Sequence, residues 1–358
     1  MSTRKILQTF DAWKQADRPM VLATVYETLG STYSKSGHRI LIAADGDYQG
    51  LVSGGCLEGD LAERASNTLA SNRATAVTYD LRDEADDLWG LGVGCNGLIR
   101  VFLQPLDPDA DYEPFASIAQ HLSAEQMAVV ATIINSSGAS DRLGGTLIWT
   151  PDSTHRWRLD STTSERLSAG CARSWQTGQS VFVQDESGDG VLFSPLKPVP
   201  QLLVLGAGLD AIPVVSMASE LGWSVTVADH LPAYIDRGGF DAADRVLLID
   251  PRELEREFKL STFSAIVVMS HHLTTDQTYL AQLASVDVAY IGVLGPPARK
   301  QRLLTELGDT GEALRPYLRG PVGLDIGADS PESIALSIVA ELQSVFSAGA
   351  ALSHDPNL

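Results

Sequence analysis

The sequence predicts an α/β protein in two regions: a doubly wound parallel sheet over about 198–358, and an α+β region over 1–197. Three observations predict it. After residue 201, short and wholly apolar runs alternate with helical stretches, as in a parallel sheet buried on both faces. A proline-rich stretch, SPLKPVPQ at 194–201, precedes the first of these runs and reads as an inter-domain linker, because proline serves a central strand badly. Before it, one αβ pattern occurs twice, which points to an internal duplication.

The two copies can be laid side by side. MVLATVYETLGS (20–31) and MAVVATIINSSGA (127–139) are apolar strands running into Ser/Gly turns. RILIA (39–43) and GTLIW (145–149) follow as second strands. LEGDLAERASNTLAS (57–71) and SERLSAGCARSWQTG (164–178) read as helices with Ala and Leu on one face. LIRVFLQP (98–105) and VLFSP (191–195) close each copy. The unusual motifs fall in the first half, about 1–107, so the second, about 108–197, reads as structural.

The C-terminal region begins with the strand LLVLGAG (202–208), the helix AIPVVSMASELG (211–222) and the strand SVTVAD (224–229). RVLLID (245–250), AIVVMS (265–270) and AYIGVLG (289–295) add strands, and SIALSIVAELQSV (333–345) reads as a closing amphipathic helix. Gly206-Ala-Gly208-Leu-Asp-Ala211 links the first strand to its helix. Gly206 would make the tight turn, Gly208 would admit a pyrophosphate, and Ala211 would let helix pack on sheet. Asp229 lies where an acid can bind a ribose hydroxyl, which favours NAD or another adenosine ligand over NADP. These features predict a Rossmann-like domain. Asp210 places a negative charge where phosphates would sit, so the turn can equally exist without a ligand.

Composition excludes some functions. Net charge is −19, from 45 acids against 26 bases, a field that repels nucleic acid. No apolar run approaches the roughly 18 residues a membrane-crossing helix needs. The start, MSTRKILQTFDAWKQADRP, lacks an apolar signal core and a twin-arginine pair, and the expected location is the cytoplasm. Cys56, Cys95 and Cys171 are odd in number and widely spaced, which fits free thiols in a reducing compartment. No CxxC or HExxH pair points to a zinc site.

Four further motifs carry candidate chemistry. Ser53-Gly54-Gly55-Cys56-Leu57-Glu58 offers backbone N–H groups for an anion and a thiol near a helix start, where a thiolate is favoured. Glu58 reads equally as an acid on the first helical turn, and Cys56 as a small packed residue. Trp89-Gly-Leu-Gly92-Val-Gly94-Cys95-Asn96-Gly97 is a glycine-rich loop holding a second thiol, or a hairpin with a packed one. Gly30-Ser31-Thr-Tyr-Ser-Lys35-Ser-Gly37-His38-Arg39 is a polar turn with a cationic end, suited to an anion such as a pterin phosphate. His271 and Asp276 follow a buried strand at the edge where such sheets bind ligands, and could hold a metal or move protons. A plain helix start with a solvated Asp276 is the alternative.

Taken together, GSTYSKSGHRILI, LVSGGCLEGDLAERA, GVGCNG, LLVLGAGLDAIP, VVMSHHLTTD, AYIGVLGPPARKQRLL and GPVGLDIGADSPESIALSIVAEL resemble the XdhC/CoxI family, accessory factors of xanthine dehydrogenase, CO dehydrogenase and related molybdenum hydroxylases. The resemblance implies a cytosolic chaperone and homodimer. It would bind molybdenum cofactor (molybdopterin) while a cysteine desulfurase supplies the terminal sulfur, and pass it to the apo-enzyme. It also implies that Cys56 and Cys95 touch the cofactor or its sulfur. Gly30, Ser31, Lys35, Arg39, Ser53, Gly54, Gly55, Glu58 and Gly94 would surround it, with Gly206, Gly208, Asp229, His271 and Asp276 forming the nucleotide edge. Ser34 and Ser36 stand where the family often has arginine and proline. Two competing readings are an NAD(P)-binding oxidoreductase, motivated by the glycine turn and Asp229, and a scaffold in which both thiols are dispensable.

Overall fold

The structure, a computed structural model, describes residues 3–82, 97–124, 126–136 and 142–348. It forms two compact units, Met1–Pro198 and Val199–Leu358.

The first unit opens with helix α1 (Thr3–Gln15), strands β1 (Met20–Gly30), β2 (Arg39–Ala43) and β3 (Tyr48–Gln49), helix α2 (Glu58–Ser71), and strands β4 (Thr75–Asp80) and β5 (Gly97–Leu106). Helix α3 (Phe115–Ser123) leads into β6 (Ala128–Asn135), β7 (Thr146–Trp149), β8 (Thr154–Trp157), α4 (Ser161–Thr177), β9 (Val181–Gln184) and β10 (Gly190–Leu196). The strands make two antiparallel sheets, ordered β3-β2-β1-β5-β4 and β8-β7-β6-β10-β9. The order is the same in both: the three paired strand segments take the same places in their sheets, and the paired helices α2 and α4 fall between the third and fourth strands of each half.

Within each sheet, alternate residues point to opposite faces. Val21, Ala23 and Val25 of β1 pack with Leu61 and Ala65 of α2. Val129, Ala131 and Ile133 of β6 pack with Leu167 and Cys171 of α4. Cys171 is therefore a core thiol, which burial pushes up to about 12. The proline stretch spans the division between the units at Pro198, but it begins inside a strand: Pro195 lies in β10, opposite Val129 of β6. The β9 ladder stops at Phe193, so no strand on that side needs the N–H that proline lacks.

The second unit alternates β11 (Gln201–Leu205), α5 (Ala211–Glu220), β12 (Ser224–Asp229), α6 (Pro232–Asp236), β13 (Arg245–Leu248), α7 (Leu254–Glu257), β14 (Ala265–Val268), α8 (Leu273–Leu283), β15 (Ile291–Val293), α9 (Pro297–Glu306), α10 (Asp309–Leu314), β16 (Leu318–Arg319) and α11 (Pro331–Ala348). All pairings are parallel, in the order β13-β12-β11-β14-β15-β16. This is the doubly wound Rossmann order, with its switch point between β11 and β14. Leu202 and Val204 face a core with Val214 of α5 and Ile338 of α11, whereas Leu203 and Leu205 face Leu280 of α8 and Leu303 of α9. The apolar stripe of α11 thus packs inside its own unit. No helix among the described residues is long and apolar enough to cross a membrane.

Gly206 is fixed by two constraints. Its φ is +130°, and a Cβ would lie 2.7 Å from the amide nitrogen of Ser270. Gly206→Ala should therefore lower stability by about 2–3 kcal/mol, read as a fall in the urea unfolding midpoint. An unchanged midpoint would show that the turn tolerates a side chain.

Candidate functional site

Two of the N-terminal motifs meet at one end of the first sheet, and Gly97, the last residue of the third, lies there too. Gly30 of β1 sits opposite Gly97 of β5, and a Cβ at Gly97 would lie 2.6 Å from the carbonyl oxygen of Ser31. The buried Ser34 hydroxyl donates to the Leu51 carbonyl at 3.0 Å, tying the 30–39 loop to the strand end that leads into Ser53. Gly54 faces the Tyr33 ring, whose nearest carbons would stand 4.0 Å from a Cβ placed there. Gly97 is also where the loop of Gly94 and Cys95 rejoins the sheet; those two residues lie outside the described ones.

The Ser53–Glu58 loop is organised by a carboxylate from its own chain. Glu58 Oε1 accepts from the amides of Val52 (2.8 Å) and Ser53 (3.0 Å). Oε2 accepts from the Ser53 hydroxyl (2.9 Å) and the amides of Gly55 (2.9 Å) and Leu57 (3.2 Å). The N–H cradle expected to await an anion is thus filled by Glu58. The physical reason is proximity: the first residue of α2 sits inside the turn it follows, and its side chain reaches the Val52, Ser53, Gly55 and Leu57 amides. Burial opposes ionisation of Glu58, but the donors at Ser53 and Val52 outweigh it and hold the carboxyl below its usual range. Cys56 is left exposed on this clamped loop as a free thiol, ahead of α2 rather than on its first turn.

Lys35 and Arg39 line a cavity of about 420 Å³ elsewhere on this unit, where the first sheet meets the second. Of the other polar residues there, Thr3, Ser180, Ser194 and Lys197 belong to no motif. Lys197 sits in the proline stretch, and only its place as a lone cation between prolines could have drawn attention to it.

At the sheet edge of the second unit, the expected ligand residues have other partners. Asp229 is 1% exposed. Its Oδ2 accepts from the Ala207 amide at 2.6 Å and its Oδ1 from the Leu231 amide at 2.8 Å. It braces the glycine turn from below instead of standing open to a ribose, because the side chain of a strand-end residue points into the crowded layer under that turn. His271, at a φ of +60°, brings Nε2 to 2.8 Å from Asp210 Oδ2, so an imidazole–carboxylate contact bridges the loops after β14 and β11 beside Gly208. Asp276 is buried and takes hydrogen bonds from the Ser270 hydroxyl (2.5 Å) and Arg299 Nη2 (2.6 Å). His271 and Asp276 thus serve different pairs and do not form one proton-transfer or metal-holding couple. The sequence spacing could not show this, because Arg299 approaches from a helix 23 residues further on. Among the described residues no cluster of three His, Cys, Asp or Glu could hold a metal ion.

Known proteins share this architecture. Residues 202–342 match the model of the XdhC Rossmann domain, and residues 13–80 that of the XdhC and CoxI family. Over 334 residues the chain is 32% identical to a Bacillus subtilis protein described as a probable xanthine dehydrogenase component, covering 93% of this chain and 94% of that one. It is 24% identical over 330 residues to the molybdenum cofactor insertion chaperone PaoD of Escherichia coli, covering 91% and 83%. The crystal structure of a xanthine dehydrogenase from Bacillus halodurans superposes with a TM-score of 0.79 at 30% identity, covering 99% of this chain and 98% of the other.

Glu58→Gln tests the clamp. At pH 7 it should lower stability by about 2–3 kcal/mol, since a neutral amide replaces an acceptor of charge-assisted bonds. A carboxyl depressed in the folded state stabilises above its unfolded pKa, about 4.3, and that contribution fades as pH falls through the lower folded value. The gap between wild type and variant in urea unfolding should accordingly close below about pH 4; a gap independent of pH would rule out the charge as its source.

Proposed function

The chain belongs to the XdhC and CoxI family, and on that premise we propose that it is a maturation factor for a molybdenum hydroxylase of the xanthine dehydrogenase type. It binds molybdenum cofactor, holds it while sulfur is installed, and passes it to the apo-enzyme. One observation carries the reading: the 30–39 loop, the clamped Ser53–Glu58 loop and the base of the Cys95 loop pack together, with the Cys56 thiol exposed among them. A thiol suits contact with the metal or its terminal sulfur. The cofactor supplies the molybdenum centre and an anionic phosphate. Lys35 and Arg39, in their cavity elsewhere on the unit, have the charge to meet that phosphate, while Gly30, Ser31, Ser53, Gly54 and Gly55 frame the thiol.

The PaoD relative's name supports the same role. The partners in this reading are the apo-hydroxylase and a cysteine desulfurase, and the setting is the cytoplasm. Because the apolar stripe of α11 is used internally, a homodimer would draw on exposed Leu324, Ile326 and Leu336. A nucleotide such as NAD on the Rossmann unit finds less support, since Asp229 is sealed and the Asp210–His271 pair lies beside Gly208.

Wild-type protein should release a fluorescent oxidised pterin on acid treatment. In a strain lacking the native copy, Cys56→Ser should lower client hydroxylase activity by about tenfold or more, with the apo-client still produced. Full client activity in the deletion strain itself would defeat the maturation role. Full activity with Cys56→Ser alone would defeat the part given to the thiol.

A further inference from the structure

We propose that the cavity between the two half-sheets of the first unit is a binding site for a phosphate ester with a flat, apolar body, and that Lys197, Ser180 and Ser194 of the second half are as much part of it as Lys35 and Arg39. This deepens the maturation reading, and it rests on that reading only for the identity of the natural ligand.

Charge is the first argument. Lys35, His38, Arg39 and Lys197 line the cavity, and no carboxylate does. The chain has 45 acids against 26 bases, so carboxylates are in surplus. Elsewhere arginines find them readily: Arg18, Arg64, Arg100, Arg166, Arg299 and Arg302 all have acidic partners within 4 Å. Around this cavity, by contrast, neither lysine nor Arg39 forms an ion pair with any of the described residues. Crowding by protein atoms lowers the Arg39 guanidinium to about 10, and no acid offsets that cost. A cation held so gains more from an incoming anion than one already paired.

Construction is the second argument. Gly37 lies directly on the second half: with φ at +93°, a Cβ there would stand 2.5 Å from both the Ser180 and Ser194 hydroxyl oxygens. Ser180 Oγ donates to Ser194 Oγ at 3.2 Å. The cationic loop therefore meets a pair of hydroxyls from the other sheet with no side chain between them. Lys197 follows Leu196, the last residue of β10, which carries Ser194. Ile6, Phe115 and Leu122, from α1 and α3, supply an apolar wall. About 420 Å³ is within the range of small-ligand pockets. One charged side and one apolar side fit a ring system ending in phosphate better than a bare inorganic ion.

Two sources share this chemistry, a pterin phosphate and a purine mononucleotide. The test uses the full-length protein and isothermal titration with a pterin monophosphate, GMP, guanosine and inorganic pyrophosphate. A phosphorylated ring compound should bind, and guanosine should bind at least about tenfold more weakly than GMP if GMP is the better ligand. Affinity should fall as salt rises. Lys197→Gln and Lys35→Gln should each weaken binding about tenfold, and Arg39→Gln by more, while Arg252→Gln, on an exposed paired arginine of the other unit, should change nothing. Tighter binding of the pterin names one source and tighter binding of GMP the other; either supports the site. Binding that ignores Lys197→Gln and Lys35→Gln, in variants with wild-type unfolding midpoints, would overturn it. So would no binding of any probe at millimolar concentration. The titrations read the pocket and the client-activity assay reads the maturation role, so a failure of one and a failure of the other register in different assays.

Discussion

In each half of the first unit one helix, α2 or α4, packs its apolar stripe on one face of the sheet, and the apolar residues of the other face need other cover. The two halves meet this need with each other. Tyr26 and Phe102 of the first sheet join Ile134 and Leu192 of the second in one cluster, and the Tyr26 and Phe182 rings meet edge-on at 4.9 Å. Much else follows from that seam. It brings Gly37 onto Ser180 and Ser194, sets Lys197 near the 30–39 loop, and leaves a cavity where the packing is incomplete. The second half is thus no mere support: it furnishes part of the lining of a cationic concavity in the unit.

A second theme is how this acidic chain treats its backbone donors. The turns that read as anion cradles hold carboxylates of the chain itself. Glu58 fills the Ser53–Leu57 turn, and Asp229 fills the turn after β11. Internal acids suit this role, since they cost no translational freedom and their ionised form is stabilised by the donors they accept from. The result is two rigid turns. One presents a free thiol, and the other lies beside the Asp210–His271 pair. The cavity of Arg39 and Lys197 has no such occupant among the described residues, and that contrast separates it from the other candidates.

The fold was largely legible from the residues. Apolar runs of strand length between helical stretches gave the parallel sheet, and the repeat of four segments pointed to two similar αβ halves. Both signals are local and periodic, so no knowledge of distant partners is needed to see them. The strand at Leu318–Arg319 was not legible, because two residues carry no period. Pro195 misled, because whether a proline breaks a strand depends on which neighbour needs its N–H.

The candidate site was legible in part. Glycines at 54 and 55 marked a turn at positive φ, and Cys56 stands exposed as a free thiol on it. What each group faces was decided by tertiary structure. A carboxylate looks the same in sequence whether it waits for a ribose, as Asp229 was expected to, or is sealed against an amide 22 residues away. His271 and Asp276 look like a couple until Asp210 and Arg299 arrive from other elements. By itself, then, the sequence determined the architecture and the chemical types available at the turns, because periodicity and backbone demands are written locally. Only the tertiary structure decided which charges are cancelled and which are left to meet a ligand, because charge pairing depends on distances between segments far apart in the chain.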